Sequence, residues 1–162
     1  MPGLRLPAAL PLVLGLLALT ACGGKPDAAP SAAQAPAAVG SDLTPFQLEH
    51  GIGPVTEAIT LGPVDEEMAE DGEKVFTAKC SACHKMNEKY VGPPLGDVTT
   101  RRSPTFIMNQ ILNPEGMYTR HPEVRKLLAE YMTQMPNQAV TQEEARKIVE
   151  YLRTEAHSHA GN

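Results

Sequence analysis

Residues Cys80-Ser81-Ala82-Cys83-His84 spell C-x-x-C-H, and no other short run constrains the chain as strongly. The two thiols stand where they can add across the vinyl groups of a haem, and the adjacent imidazole then falls under the iron as an axial ligand. C-x-x-C alone also serves zinc and dithiol redox sites. A zinc site needs a second ligand pair, and the only other cysteine, Cys22, lies far upstream. A thioredoxin-like site needs a strand-helix-strand setting, which the residues around position 80 do not supply. The expectation is one covalent haem c, attached through Cys80 and Cys83, with His84 on the iron. Composition agrees. With 4% aromatic residues, no Trp and 15 Pro, the chain is poor in core-building side chains, and a bound haem supplies the missing apolar mass.

The third cysteine closes an N-terminal segment of secretory type. Arg5 gives a thin positive start, Leu6 to Leu19 an apolar stretch, and small residues precede Cys22. The apolar stretch is shorter than the roughly 20 residues a membrane-spanning helix requires. Leu19-Thr20-Ala21-Cys22 resembles the bacterial lipobox, which implies a signal peptide over 1–21 and lipidation at Cys22. An ordinary signal peptide cut near Ala21 is the alternative, and it leaves an unexplained exported thiol. Two or more acyl chains suffice for stable anchoring. Loss of 1–21 removes one positive charge and moves the net charge from −5 to −6. The basic footprint of a nucleic-acid binder is missing.

Residues 22–41 are nearly all Gly, Ala, Pro, Ser and Gln after the cysteine and read as a disordered linker spanning roughly 25 Å r.m.s.. Residues 42–64 carry Phe46, Leu48, Ile52, Val55, Ile59 and Leu61 among glycines and prolines, and read as an ordered but irregular arm packed on the haem domain. That domain is expected over 65–155, with a disordered tail at 156–162. Four helices can be placed in it. Asp65 caps one running to about Lys79; Ser103-Pro104 opens a second that ends at Asn113-Pro114. Pro122 opens a third, and Thr141-Gln-Glu-Glu144 is a capping box for the last, whose apolar face is Ala145, Ile148, Val149 and Leu152. The acidic cluster Asp65, Glu66, Glu67, Glu70, Asp71 and Glu73 reads as a solvated face, with steering of a basic partner as the alternative.

The iron also needs a sixth ligand or an open position. Met135, in Thr133-Gln134-Met135-Pro136-Asn137, lies between the third and fourth of these helices, where a loop can wrap the far side of the haem. Met132 is the runner-up. Met108 is expected in the core and Met117 in a loop. His50, in the arm, is a weaker candidate; His121 is expected at the surface of a helix start, and His157 and His159 in the tail.

These residues together resemble a class I, mono-haem cytochrome c, over about Asp65 to Thr154. Gly72-x-x-x-Phe76 ahead of C-x-x-C-H is similar to the family's first helix, with Ile148 and Tyr151 as its partners on the last. Gly92-Pro93-Pro94-Leu95 resembles the family's G-P-x-L, which implies that the Pro93 carbonyl accepts a hydrogen bond from the haem-ligating imidazole. Thr133-x-Met135 resembles a Thr-x-Met in which the threonine holds the loop near a propionate. Arg101 and Arg102 fall where the family often places a propionate-pairing base, and either can fill that role. The arm has no counterpart in the minimal family pattern.

The resemblance implies an all-α fold and an electron-transfer protein, not an enzyme. A His/Met iron has no vacant position and can change only its charge, and the soft thioether favours Fe(II). The expected protein is a monomeric, lipid-anchored one-electron carrier facing the periplasm, between redox donor and acceptor proteins of a respiratory chain. Arg101-Arg-Ser-Pro104, Ile111-Leu-Asn-Pro114 and Met135-Pro-Asn-Gln138 are similar to runs in lipoprotein cytochromes that accompany nitrous-oxide reductase. The alternatives are a dedicated subunit of a membrane oxidase or reductase, with the arm as interface, and a haem enzyme or gas sensor with an open sixth position.

Overall fold

The computed structural model describes residues 42–160, with side chains to 157, and among these every regular element is a helix. The expected signal peptide, Cys22 and linker lie outside the described residues. Two helices form the frame. Helix α2 (Glu66–Lys79) begins where the Asp65 carboxylate accepts from the Met68 N–H at 3.0 Å, with Glu66 and Glu67 set against the positive end of the helix dipole. Helix α7 (Gln142–Ala160) begins with the expected capping box: Glu144 N–H to Thr141 Oγ1 at 3.1 Å, and Thr141 N–H to Glu144 Oε2 at 2.8 Å.

The two helices cross at Gly72. A Cβ there would sit 2.1 Å from the Lys147 carbonyl oxygen, so only glycine permits this approach. One turn on, the Phe76 and Tyr151 rings meet with centroids 5.2 Å apart. Phe76, Ile107, Met108, Ile111, Ala145, Ile148, Val149 and Leu152 form the buried core around the crossing. Because the obstruction is backbone and cannot rotate away, Gly72→Ala should cost about 2 kcal/mol or more in urea unfolding. A change below about 0.5 kcal/mol would show that the helices can separate freely.

Between the frame helices run α3 (Val98–Arg101), α4 (Pro104–Leu112), α5 (Pro114–Arg120) and α6 (Pro122–Tyr131). The last three each open on a proline, whose missing N–H is no loss at that position. Asn113 does end α4, yet α5 follows at once rather than a loop, because the Asn113 side chain accepts from Gly116 N–H at 3.3 Å. Met117 is therefore helical and fully buried. At the C-terminus, α7 continues through Ala160 where a disordered tail was expected from 156; Ala156 and the residues before it simply continue a good helical run.

The arm is less irregular than its glycines and prolines suggest. It opens with α1 (Pro45–His50), held by a capping box between Thr44 and Gln47. Gly51 then turns it at φ +79°, against the Met117 side chain. Beyond it the chain follows α4 through a series of bends, and Thr105, Asn109 and Asn113, spaced by four, bind its backbone. Asn109 Oδ1 accepts from Val55 N–H at 3.0 Å while its Nδ2 donates to the carbonyls of Val55 and His50 at 2.9 and 3.0 Å. Thr105 Oγ1 accepts from Ile59 N–H at 2.8 Å and donates to Glu57 O at 3.2 Å. Asn113 Nδ2 donates to Ile52 O at 3.0 Å. Side chains of one helix thus supply the partners a neighbouring strand would otherwise give. Leu43, Ile52, Phe106, Met117 and Val124 close a second apolar cluster under the arm. At its far end Arg153 donates to Gly62 O at 2.6 Å while also pairing with the buried Glu150.

His121 belongs to this cluster and not to the surface. It is fully buried, meets Phe106 edge-on at 5.1 Å, and its Nε2 donates to Leu48 O at 3.1 Å. Phe106 and the arm cover it because α5 and α6 meet at this residue without a loop. Burial holds its pKa below the usual value near 6.5, against the opposing effect of the Leu48 carbonyl. The unfolded chain therefore takes up a proton first as pH falls. The stabilisation by neutral His121 is complete above about pH 6.5 and is lost as pH drops from there toward the folded value. Urea unfolding at pH 7.5 and 5.5 should show this loss in the native protein and a smaller one in His121→Gln. Equal slopes would contradict it.

Candidate functional site

Cys80 ends α2, and the chain then folds back on itself. Cys83 and His84 N–H both bond to the Cys80 carbonyl at 3.0 Å. Gly92 N–H returns to Cys83 O at 2.9 Å, and Leu95 and Gly96 N–H reach Lys85 O and Met86 O at 3.0 and 2.9 Å. This doubled loop carries Gly92 under the His84 ring, where a Cβ would lie 2.5 Å from Cε1. It also places the Pro93 carbonyl 2.9 Å from His84 Nδ1. A carbonyl only accepts, so Nδ1 carries the proton and Nε2 presents its lone pair. Burial pushes the His84 pKa down, with the Pro93 bond opposing, so the ring is neutral at pH 7, as a metal ligand must be.

Cys80 and Cys83 are both unpaired thiols and only partly buried. Burial pushes the Cys80 thiol up, with Lys79 opposing. The donor set on this loop is two free thiols and one oriented imidazole, and it fits a covalently attached haem. No cluster of three or more acidic, His or Cys side chains suited to a bare metal ion occurs among the described residues.

The methionines separate cleanly. Met108 is 1% exposed in the core, and the Met117 sulfur accepts from Ile52 N–H at 3.0 Å beneath the arm. Met132 caps α6 in the left-handed region at φ 53° and is 84% exposed. Met135 is half-buried, with its Sδ 3.5 Å from Gln110 Nε2 of α4. Among the four, it alone combines partial burial with a sulfur outside the packed clusters. His50 is engaged elsewhere, its Nδ1 2.8 Å from Ser103 Oγ and its ring against Phe46.

Lys89 ties the two segments together. Its Nζ lies 4.2 Å over the Tyr131 ring and 3.3 Å from Glu130, joining the loop after His84 to the end of α6 that leads to Met135. The two arginines take different surroundings. Arg101 donates to Asp97 at 2.7 Å and to Pro94 O at 3.3 Å, on the His84 loop. Arg102 lies over Phe106 and pairs with Glu123 at 3.5 Å, within the arm cluster. Thr133 is exposed.

Sequence reasoning passed over Gln110 and Lys89. The signal for Gln110 was present, since it is one of two adjacent amides, with Asn109, in the otherwise apolar Phe106-Ile-Met-Asn-Gln-Ile-Leu112 run. Lys89 had no local signal, because its partners lie about 40 residues away.

A helical domain whose frame helices α2 and α7 cross at a glycine, with C-x-x-C-H on the loop that follows α2, is the architecture of a single-haem, covalently loaded domain. The chain belongs to the cytochrome c family: the Cytochrome c family profile matches residues 69–156. Family members bind covalent haem c, and the chain has one attachment motif. The chain is 46% identical to a cytochrome c from Rhodothermus marinus, over 71% of this chain and 99% of that one, with a TM-score of 0.67. An engineered cytochrome c from the same organism, bound to a carbene intermediate, is 44% identical over 70% of this chain and 99% of its own, with a TM-score of 0.63. Cytochrome c-551 of Stutzerimonas stutzeri is 29% identical over 92 residues, 52% of this chain and 77% of that protein. The likeness to the Rhodothermus protein extends beyond residues 69–156, since 71% of this chain is more than that span contains.

Proposed function

We propose that this chain is a one-electron carrier whose haem iron is held between His84 and Met135, tethered by a lipid on Cys22 to a membrane facing the periplasm. The haem supplies an iron whose charge changes by one unit. The chain's own residues determine what else can happen there. Cys80 and Cys83 fix the ring covalently, Pro93 orients the His84 imidazole and raises its basicity, and Gly92 leaves room for that ring. Met135 would hold the iron together with His84, and Arg101, at the end of α3 and bonded to the Pro94 carbonyl of the His84 loop, is the better placed of the two arginines to meet a propionate, with Thr133 near the Met135 side. The observation that carries this reading is the sorting of the four candidate thioethers: Met108 and Met117 are locked into packing and Met132 faces solvent, so Met135 is the one of these four left for the iron.

An electron carrier with both axial positions filled exposes no site for a substrate. The fit to a permanent subunit is poorer, because Leu43, Ile52 and Val55 of the arm are buried against the chain's own helices and are not available to a partner. The donor and acceptor are respiratory proteins, with a terminal reductase such as nitrous-oxide reductase as the proposed acceptor. No helix among the described residues is long and apolar enough to cross a membrane, so attachment rests on Cys22 in this proposal. Tethering raises the effective concentration of partners at the same surface.

Redox titration of the loaded protein tests the reading when paired with carbon monoxide. A single one-electron wave and a ferrous spectrum unchanged by carbon monoxide are expected. Rapid carbon monoxide binding would instead establish an open sixth position and a sensor or enzyme.

A further inference from the structure

We infer that Gln110 is a positioning residue for the Met135 sulfur, its side-chain amide N–H holding one thioether lone pair and leaving the other for the iron. The inference rests on Met135 being the axial ligand. Gln110 Nε2 lies 3.5 Å from Met135 Sδ, within reach for a hydrogen bond to sulfur. Its Oε1 is buried and has no hydrogen-bond partner. A buried acceptor without a partner is costly and needs a reason, and a leucine at this position would avoid the cost. The other polar residues of α4 do not supply that reason. Thr105, Asn109 and Asn113 form one stripe facing the arm, and Gln110 lies off it, beside apolar Ile107 and Ile111. Nor does reversing the amide help: it would point a carbonyl oxygen at the sulfur lone pairs and strand two N–H donors instead of one acceptor.

The chemistry follows from what a donor does to a thioether. An N–H directed at sulfur withdraws electron density and places a positive dipole end near the iron. Both effects weigh against the extra positive charge of Fe(III), so Gln110 favours the reduced state. It also restricts rotation of the Met135 side chain, which sits on a loop rather than a helix.

The test compares full-length haem-loaded protein with Gln110→Leu, Gln110→Met and Met135→Ala, reading the reduction potential and the far-red sulfur-to-iron band of the ferric state. Both Gln110 variants should shift the ferrous-to-ferric ratio at fixed ambient potential toward ferric by roughly threefold to tenfold, the range one hydrogen bond commands. The band should move or weaken in both, while the melting temperature stays the same or rises because the unpartnered acceptor is gone. Using two variants guards against one that fails to load. If Met135→Ala abolishes the band but both Gln110 variants keep the native potential and band, the role given to Gln110 is wrong. If Met135→Ala leaves the band in place, the ligand assignment fails and takes this inference with it.

Discussion

Asn109→Ala should release the arm and lower the stability of the haem-loaded protein by about 3–6 kcal/mol. The side chain is fully buried and makes three hydrogen bonds to arm backbone, at His50 O, Val55 O and Val55 N–H. Alanine leaves all three groups without a partner, at roughly 1–3 kcal/mol each where water cannot reach. Relaxation of the arm toward solvent recovers some of this, which is why the lower half of the summed range is expected. Urea unfolding gives the magnitude, and limited proteolysis gives the place, with new cleavage inside 42–64 and not in α2 or α7. Asn109→Asp separates donor from acceptor: it keeps the bond from Val55 N–H, loses both donated bonds and adds a buried charge, so it should be no better than alanine. A loss under about 1 kcal/mol in the alanine variant would mean that the arm is decoration and not part of the fold.

Met135→Ala is the second large effect. On the proposed His84/Met135 ligation, loss of the thioether leaves its place to water or another side chain, and the preference for Fe(II) conferred by sulfur disappears. The reduction potential should fall by about 100–300 mV, a modest part of the roughly 0.8 V that axial ligands command. The ferrous protein should at the same time become open to carbon monoxide. Met132→Ala, by contrast, removes an exposed side chain and should leave the potential unchanged. A drop in Met132→Ala with none in Met135→Ala would reverse the assignment made from burial.

What was legible in the sequence, and what was not, follows from the range of each signal. Asp65, Ser103 and Thr141 are local stop-and-start marks, read within four residues, and the helices they open lie where they were expected. The C-x-x-C-H motif is equally local, and the imidazole–carbonyl bond that the resemblance of Gly92-Pro93-Pro94-Leu95 implied is present at 2.9 Å. The α5 helix was missed because Asn113-Pro114 reads as a stop, whereas the same asparagine closes one helix and starts the next. The arm was harder. Its own composition indicates turns, and what orders it is the Thr105, Asn109, Asn113 stripe some 50 residues later. Polar residues spaced by four within an apolar helix are a visible pattern, but only the tertiary structure says what they bind. His121 was misplaced for the same reason: a proline after it signals a helix start, and nothing nearby in sequence announces the Phe106 and Leu48 that bury it.

The central claim is that His84 and Met135 together close the iron, so that the chain carries electrons and does nothing else with its haem. The most direct measurement is the optical spectrum of the ferric full-length protein near neutral pH. A low-spin spectrum with a weak far-red sulfur-to-iron band, lost in Met135→Ala, is the predicted result. A high-spin spectrum without that band would contradict the claim.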